Sequence, residues 1–408
     1  MKHDEKKALV IGASEEAEFA IKTAQRRGYF FVAVDGNPEA KGFAFADKTI
    51  VADIKDGDRL KECLAGYEPQ VVLPVPIGRY LTATGLINDY LGLKGVSEKS
   101  AMLCTDKYAY HQALQEDGLR DGECLLLEMG ISRQEALEQC NEYLQRSEYE
   151  NVIIKPRFGS GSRGVAMLSR DEDVSDYLVC PSTLDEDLIL EPAYPGDEYG
   201  VDGMVRDGVL TLVLLREKII SEAPYRQAVA YIANHVDAGK REIARSYLQK
   251  IATLIGLRDC IIHCDLMWTG ADFKVIEISA RPSGHNLHNL FVPTVTGINM
   301  IDCFIDMCEG LDEDRLSATT SDKVFLIGYY DHQEGNLLSV PSAEAILEKF
   351  ADEMVVCKMD MKPGFVERTK EGHGLMSRGH FVVRGDSRED VLNTREAVLS
   401  FVFEDFRS

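Results

Sequence analysis

Apolar positions at the start of the chain fall into short runs separated by helical spacing. Residues 8–11, 30–34 and 71–75 read as strands, with helices over 15–27 and 58–66 between them. Such alternation predicts a parallel sheet with helices on its faces. From residue 97 the pattern turns helical through 114, with Ser97 as a cap, and a second helix is expected over 133–147. A glycine-punctuated β-rich section follows: strands over 152–155, 165–168, 188–191 and 198–205, a loop over 158–164, and a hairpin turn at Arg206-Asp-Gly208. Residues 237–255 form a long amphipathic pattern. Next come two apolar runs, 260–267 and 273–278, joined by a turn at 269–272. After 322 the alternation restarts with strands over 324–330, 354–359 and 380–383 and a closing helix over 388–403. Three units result: 1–95, 96–320 and 321–408.

Pairing the runs around the 269–272 turn sets Asp265 opposite Glu277. Period-two alternation then puts Glu277, Ser279 and Arg281 on one face. Hard oxygen ligands of this kind suit Mg²⁺ already carrying phosphate, and a neighbouring arginine suits an anionic group in transfer. A solvated hairpin with a surface ion pair is the alternative. Lys155 ends a strand and precedes Gly159, Ser160, Gly161, Ser162 and Gly164, a loop able to turn amide N–H groups towards phosphate oxygens. The order differs from a P-loop, because the lysine comes before the glycines. Glu191 and Glu198 flank a proline-stiffened connection and could meet a base amine and ribose hydroxyls, or simply be strand-end charges. Arg216 and Lys218 offer either a further cation near phosphate or a solvated strand face. Gly12-Ala-Ser-Glu-Glu-Ala has one glycine where a dinucleotide fingerprint has three, which counts against NAD.

Composition narrows the classes. With 408 residues, 45% hydrophobic and 28% charged, the chain fits a multi-domain globular protein, and no apolar run is long enough to cross a bilayer. A net charge of −23 counts against nucleic acid as a partner but leaves room for a small anion in a locally cationic pocket. Ten cysteines without framework spacing read as reduced thiols rather than bridges or a zinc site. The first residues lack a secretory pattern, so a cytoplasmic location is expected.

Taken in order, these segments resemble the ATP-grasp superfamily of carboxylate–amine ligases, over nearly the whole chain. The resemblance implies an α/β ATP-grasp fold with an N-terminal Rossmann-like parallel α/β domain (1–95), a nucleotide-clamping core (96–320) and a small C-terminal α/β domain (321–408). It implies ATP and Mg²⁺, or Mn²⁺ in its place, as cofactors, and small-molecule carboxylate and amine substrates joined through an acyl phosphate. A homodimer is compatible with it. Lys107 and Lys155 resemble the family's phosphate-binding lysines, and Gly159 to Gly164 its lid. Glu191 resembles the hinge acid that meets the adenine amino group, with the backbone of Ala193 and Tyr194 beside the ring, and Glu198 the ribose acid. Asp265 and Glu277 match the metal ligands, and Arg281 the residue that steadies the anionic intermediate. Two positions depart from the pattern: Asp265 stands where glutamate is usual, and Ser279 where many members have asparagine. Ser279 also resembles the branch acting on glycinamide ribonucleotide, but Pro74 to Tyr80 lacks that branch's acidic loop, and Arg378-Gly-His380 replaces its paired arginines. An L-amino-acid or dipeptide ligase is therefore the expectation, with His285, Asn286 and His288 either lining the acceptor pocket or acting as capping and surface residues. A purine-biosynthesis-like enzyme acting on a glycinamide ribonucleotide and a nucleotide-binding module without turnover remain the alternatives.

Overall fold

The computed structural model describes residues 6–407 apart from 160, 162, 170–173, 179–183, 222–226, 312–314, 317–320 and 369–371. Four strands open the chain: β1 (Lys7–Ile11), β2 (Phe30–Asp35), β3 (Lys48–Val51) and β4 (Val71–Val72). They pair in parallel in the order β3-β2-β1-β4. β1 and β2 are continuous apolar runs because both of their faces are covered. The chain order reverses beside β1, between the β2–β3 side and β4, and a reversal of this kind opens a crevice at the carboxyl ends of the strands. Gly12 makes the turn into that crevice with φ +88°, and its N–H reaches Val34 O at 2.9 Å. The strand expected over 71–75 stops early because Pro74 and Pro76 have no amide to donate. β3 escaped the hydrophobic pattern because it is a mostly exposed edge.

A second sheet is antiparallel: β5 (Leu125–Leu127), β6 (Asn151–Pro156), β7 (Ala166–Ser169) and β8 (Leu188–Pro192), in the order β5-β8-β6-β7. Helix Arg133–Arg146, capped by Ser132, packs Ala136, Cys140 and Leu144 onto Val152, Ile154 and Leu190 of this sheet.

The third sheet dominates the molecule. β9 (Asp197–Arg206) and β10 (Val209–Ile220) meet at a two-residue turn, Asp207 at φ +50° and Gly208 at φ +83°, the twist that favours tight hairpins. β11 (Ala228–Ala233), β12 (Cys260–Trp268) and β13 (Phe273–Ser279) follow. The remaining strands are β14 (Val324–Tyr329), β15 (Gly335–Leu337), β16 (Met354–Met359), β17 (Gly364–Val366), β18 (Gly379–Gly385) and β19 (Phe406–Arg407). Eight of them form one sheet in the order β13-β12-β9-β10-β11-β14-β18-β16, while β17-β15-β19 make a small separate sheet. Because β11 pairs with β14 over Ala230↔Gly328 to Ala233↔Phe325, the segment after residue 320 shares a sheet with the one before it. Helix Ala238–Leu254 covers one face through Val201, Val205 and Ile262. The opposite face packs Met204, Val213 and Ile261 in a single core with the N-terminal sheet and helix Met300–Glu309. Among the described residues, no single helix is long and apolar enough to cross a membrane.

Candidate active site

A cavity of about 890 Å³ is walled by the β5–β8 sheet, by strands β9 to β13, and by the loops at the N-terminal crevice. Lys155, near the end of β6, is 5% exposed and places Nζ 2.5 Å from Glu191 Oε1. Glu191 Oε2 is reached by Arg120 Nη2 at 3.0 Å and His111 Nε2 at 2.6 Å. Burial would push the Glu191 carboxyl up, but Lys155, His111 and Arg120 outweigh it and hold the group well below the usual carboxylate range. Burial, then Arg120, presses His111 down to about 4, so its imidazole is neutral at pH 7. Glu191 nevertheless lines the cavity beside Ala193 and Tyr194, where an adenine amino group is expected to meet it. The N–H of Ala193 is likewise used, donating to Asn151 O at 3.0 Å. Tyr194 donates its hydroxyl to Asp121 O at 2.7 Å and lies beneath Arg120, yet both Ala193 and Tyr194 stay on the cavity wall. Neither Arg120 nor His111 carried a sequence signal.

Lys107 opens helix Lys107–Glu116, which Asp106 caps by accepting from the Ala109 N–H at 3.1 Å. Lys107 Nζ donates to Gly159 O at 2.8 Å. Asp106 also takes two bonds from Arg157, at 2.8 and 2.6 Å, so the start of this helix and the base of the glycine loop are one unit. Gly159 and Gly161 adopt φ +148° and +71°, which side-chain-bearing residues rarely reach. Gly164 is similar at +67°, whereas Ser160 and Ser162 lie outside the described residues.

Across the β12–β13 ladder Asp265 stands opposite Glu277. Lys218 bridges 3.1 Å to Asp265 Oδ2 and 3.1 Å to Glu198 Oε2. Burial would lower the Lys218 pKa, but the two acids hold it well above the usual lysine value. A solvated strand face is thus ruled out: Lys218 sits inside the cavity wall, and Arg216 is fully buried against Asp202. Asp265 would be raised by burial, yet Lys218, His263 and Arg216 bring it to about 2. Its Oδ1 is buried with no hydrogen-bond partner. An ionised oxygen left without a donor fits a cation. Among the described residues no cluster of three or more His, Cys, Asp or Glu is suited to a metal, so an ion here would take two protein carboxylates and complete its shell from phosphate and water. Ser279 follows Glu277 on the same face, and the two line a narrow adjoining cavity with Lys107, Gly159 and Arg281.

Arg281 lines both cavities, its pKa lowered by burial against the pull of Glu277, Glu16 and Asp265, and its Nη1 donates to Pro282 O at 2.8 Å. Beyond it the wall is formed by Gly12, Ser14, Glu16 and Asp35 of the N-terminal crevice. Glu16 accepts the His285 N–H at 3.0 Å. Of the three residues after Arg281 considered for the acceptor end, His285 lines the cavity. Asn286 instead meets His380 at 3.3 Å, and His288, buried and pressed down to about 4, sets Nδ1 2.5 Å from Ser283 O. Trp268 packs on Phe273 with ring centroids 4.8 Å apart.

Residues 148–288 match the ATP-grasp domain family. Among curated proteins, the chain is 27% identical over 199 residues to the formate-dependent phosphoribosylglycinamide formyltransferase of Synechococcus elongatus, covering 47% of this chain and 48% of that one. Its counterpart in Burkholderia cenocepacia is 20% identical over 314 residues, 70% of this chain and 71% of that one. The chain thus spans about half the length, 48%, of the first curated relative it matches. Among solved structures, an L-amino acid ligase from Bacillus licheniformis superposes with a TM-score of 0.73 at 16% identity over 98% of both chains. A phosphoribosylglycinamide synthetase from Anaerococcus prevotii superposes with a TM-score of 0.71 at 16% identity over 99% of both. The chain has the ATP-grasp fold, and its ATP-grasp domain falls on residues 148–288.

Proposed function

We propose that this protein is an ATP-dependent carboxylate–amine ligase whose substrates are amino acids or short peptides. One observation supports the reading above others: Lys107, Lys155, Asp265, Glu277 and Arg281, drawn from separate stretches of chain, line one cavity. The triphosphate would lie between the two lysines, with Gly159 to Gly164 folding over it and Glu198 and Lys218 beside the ribose and phosphate. Asp265 and Glu277 would hold Mg²⁺, or Mn²⁺, which when bound neutralises charge on the phosphate oxygens. The substrate carboxylate attacks the γ-phosphorus, its oxygen forming the new bond as ADP leaves. The amine then adds to the acyl carbon, and phosphate departs as a proton is lost. Negative charge moves in both steps. Arg281 at the acyl end and the lysines at the phosphate end stabilise it with groups already in place.

A second reading draws on the curated relatives, whose printed name pairs formate with phosphoribosylglycinamide. A ribonucleotide phosphate needs cations at the acceptor end. The crevice offers Glu16 and Asp35 there, and Arg378 spends its guanidinium on the carbonyls of Tyr330 and Glu367. The geometry therefore favours a zwitterionic or neutral amine.

Phosphate release from ATP, measured across a panel of carboxylates and amines with mass analysis of the products, tests the reading. Release should require an added carboxylate. Lys155→Ala and Glu277→Gln should each abolish it in a folded protein, and Arg281→Ala should spare ATP binding but stop turnover. Near-normal turnover in Lys155→Ala or Glu277→Gln refutes the assignment. Tight ATP binding with no turnover across the whole panel would favour a nucleotide-binding module instead.

A further inference from the structure

Lys155 is held by a buried cluster that the ligation scheme leaves unused. Glu191 meets Lys155, Arg120 and His111 at 2.5, 3.0 and 2.6 Å, and all four side chains are buried. Glu191 contributes one negative charge, Lys155 and Arg120 one positive charge each, and His111 none at pH 7. The cluster therefore carries one cation more than its acid requires. Geometry identifies which. Arg120 is anchored elsewhere as well: its Nη1 donates to Val275 O on β13 at 3.3 Å, and its guanidinium lies 5.4 Å from the centre of the Tyr194 ring. Among the described residues Lys155 forms its ion pair with Glu191 alone and faces the cavity, whereas Arg120 is outside the cavity lining.

We propose that Arg120 is a positioning residue: its fixed pairing with Glu191 leaves the Lys155 ammonium free to move onto a nucleotide phosphate. The proposal rests on the reading of the cavity as a nucleotide site. Without Arg120, a lysine leaving Glu191 would leave a buried carboxylate with only the neutral His111 beside it and no cation, so Lys155 would stay where it is. Arg120 also joins the β5–β8 sheet to β13 through Glu191 and Val275 O, so the setting of Lys155 follows the relation of the two walls that face the ligand.

Binding of ADP with Mg²⁺ to the intact chain, followed by calorimetry, tests this without any carboxylate or amine. Arg120→Met should weaken binding by about 10- to 100-fold, that is by about 1.4 to 2.8 kcal/mol at tenfold per 1.4 kcal/mol. Arg120→Lys, which keeps the charge, should lose less than about tenfold. The double variant Arg120→Met/Glu191→Gln should recover most of the affinity, because the amide needs no cation, a recovery that a purely structural role for Arg120 would not give. Parent-like binding in Arg120→Met overturns the proposal, as does a double variant that binds no better than Arg120→Met. Should circular dichroism show Arg120→Met unfolded, Glu191→Gln decides: it must bind ADP at least as tightly as the parent, and weaker binding overturns the proposal. A parent chain that binds no ADP sinks the nucleotide site itself and this proposal with it. A parent that binds ADP but ligates nothing sinks the ligase alone.

Discussion

Arg216→Met should destabilise the large sheet in a way that depends on pH with an unusual sign. Arg216 and Asp202 are both fully buried and in direct contact, and Asp202 Oδ1 also accepts from Ser283 Oγ at 2.5 Å. Even with Arg216 present, burial holds the Asp202 pKa above its ordinary value, against the pull of Arg216 and Ser283. Removing the guanidinium leaves burial opposed only by a hydroxyl, and isolated buried carboxylates rise by up to about 3–5 units. The folded pKa of Asp202 therefore climbs further above its unfolded value, and a buried pair broken from one side typically costs about 3–5 kcal/mol at neutral pH. An acid whose folded pKa is raised binds its proton more tightly when folded. Its penalty is therefore absent below the unfolded pKa and grows as pH rises towards the folded one. The deficit should shrink steadily as pH falls from 8 to 5. His263, which shares this cluster, is pressed to about 3 chiefly by burial and stays neutral over the window. Trp268 is the only tryptophan and ends β12, so urea unfolding followed by its fluorescence at pH 5 to 8 reports on this sheet. Arg216→Met/Asp202→Asn should regain most of the loss. A deficit that is flat with pH, or that grows towards acid, refutes the reasoning.

Gly200→Ala should disturb the same pair from the other side. A Cβ there would lie 2.8 Å from the Arg216 Cζ, and overpacking of this kind costs about 1–3 kcal/mol in urea unfolding. Asp106→Ala removes both the cap of helix Lys107–Glu116 and the anchor of Arg157. Steady-state kinetics should show the KM for ATP rising while that for the carboxylate holds, with about 1 kcal/mol lost in stability from the cap. Equal rises in both KM values would mean that the Asp106–Arg157 unit does not set the nucleotide end.

Much of this architecture was legible in the sequence, and the limits have physical causes. β1, β2, β6, β12 and β13 are long enough, and regular enough in period, to declare themselves, but the turn alone would set Asp265 opposite Ile276, and an irregularity between Asp265 and Leu266 shifts it to Glu277. β3, β15, β17 and β19 are short or exposed, so tertiary pairing rather than pattern makes them strands. In the site, Lys155, Gly159 and Glu277 sit inside local patterns that imply chemistry. Arg120 does not, because its partner Glu191 is 71 residues away and only the fold joins them. Arg216 and Lys218 lie between these cases. Glu198, Gly200 and Asp202 on β9 alternate in step with Arg216 and Lys218 on β10 and with His263 and Asp265 on β12, giving one complementary face across three strands. The alternation was present in the sequence. The strand order that makes the charges meet was not.

The same contrast governs Arg281, the residue on which the acyl chemistry would depend. Four residues after it, His285 and Asn286 both sit at positive φ, +60° and +57°, a conformation that costs non-glycine residues about 1–3 kcal/mol each. Two bonds from distant parts of the chain support this loop. Glu16, in the N-terminal crevice, accepts the His285 N–H at 3.0 Å, and Tyr329, at the end of β14, donates its hydroxyl to His285 O at 2.5 Å. Neither Glu16 nor Tyr329 belongs to the central segment that supplies Arg281. The segments before residue 96 and after residue 320 thus help to set the loop that carries the guanidinium, and a fragment confined to the central segment would keep the lysines and carboxylates while releasing the strained turn. Because the two supports act on the N–H and C=O of one residue, losing either one should relax the loop nearly as far as losing both, a non-additivity expected of groups that share a partner.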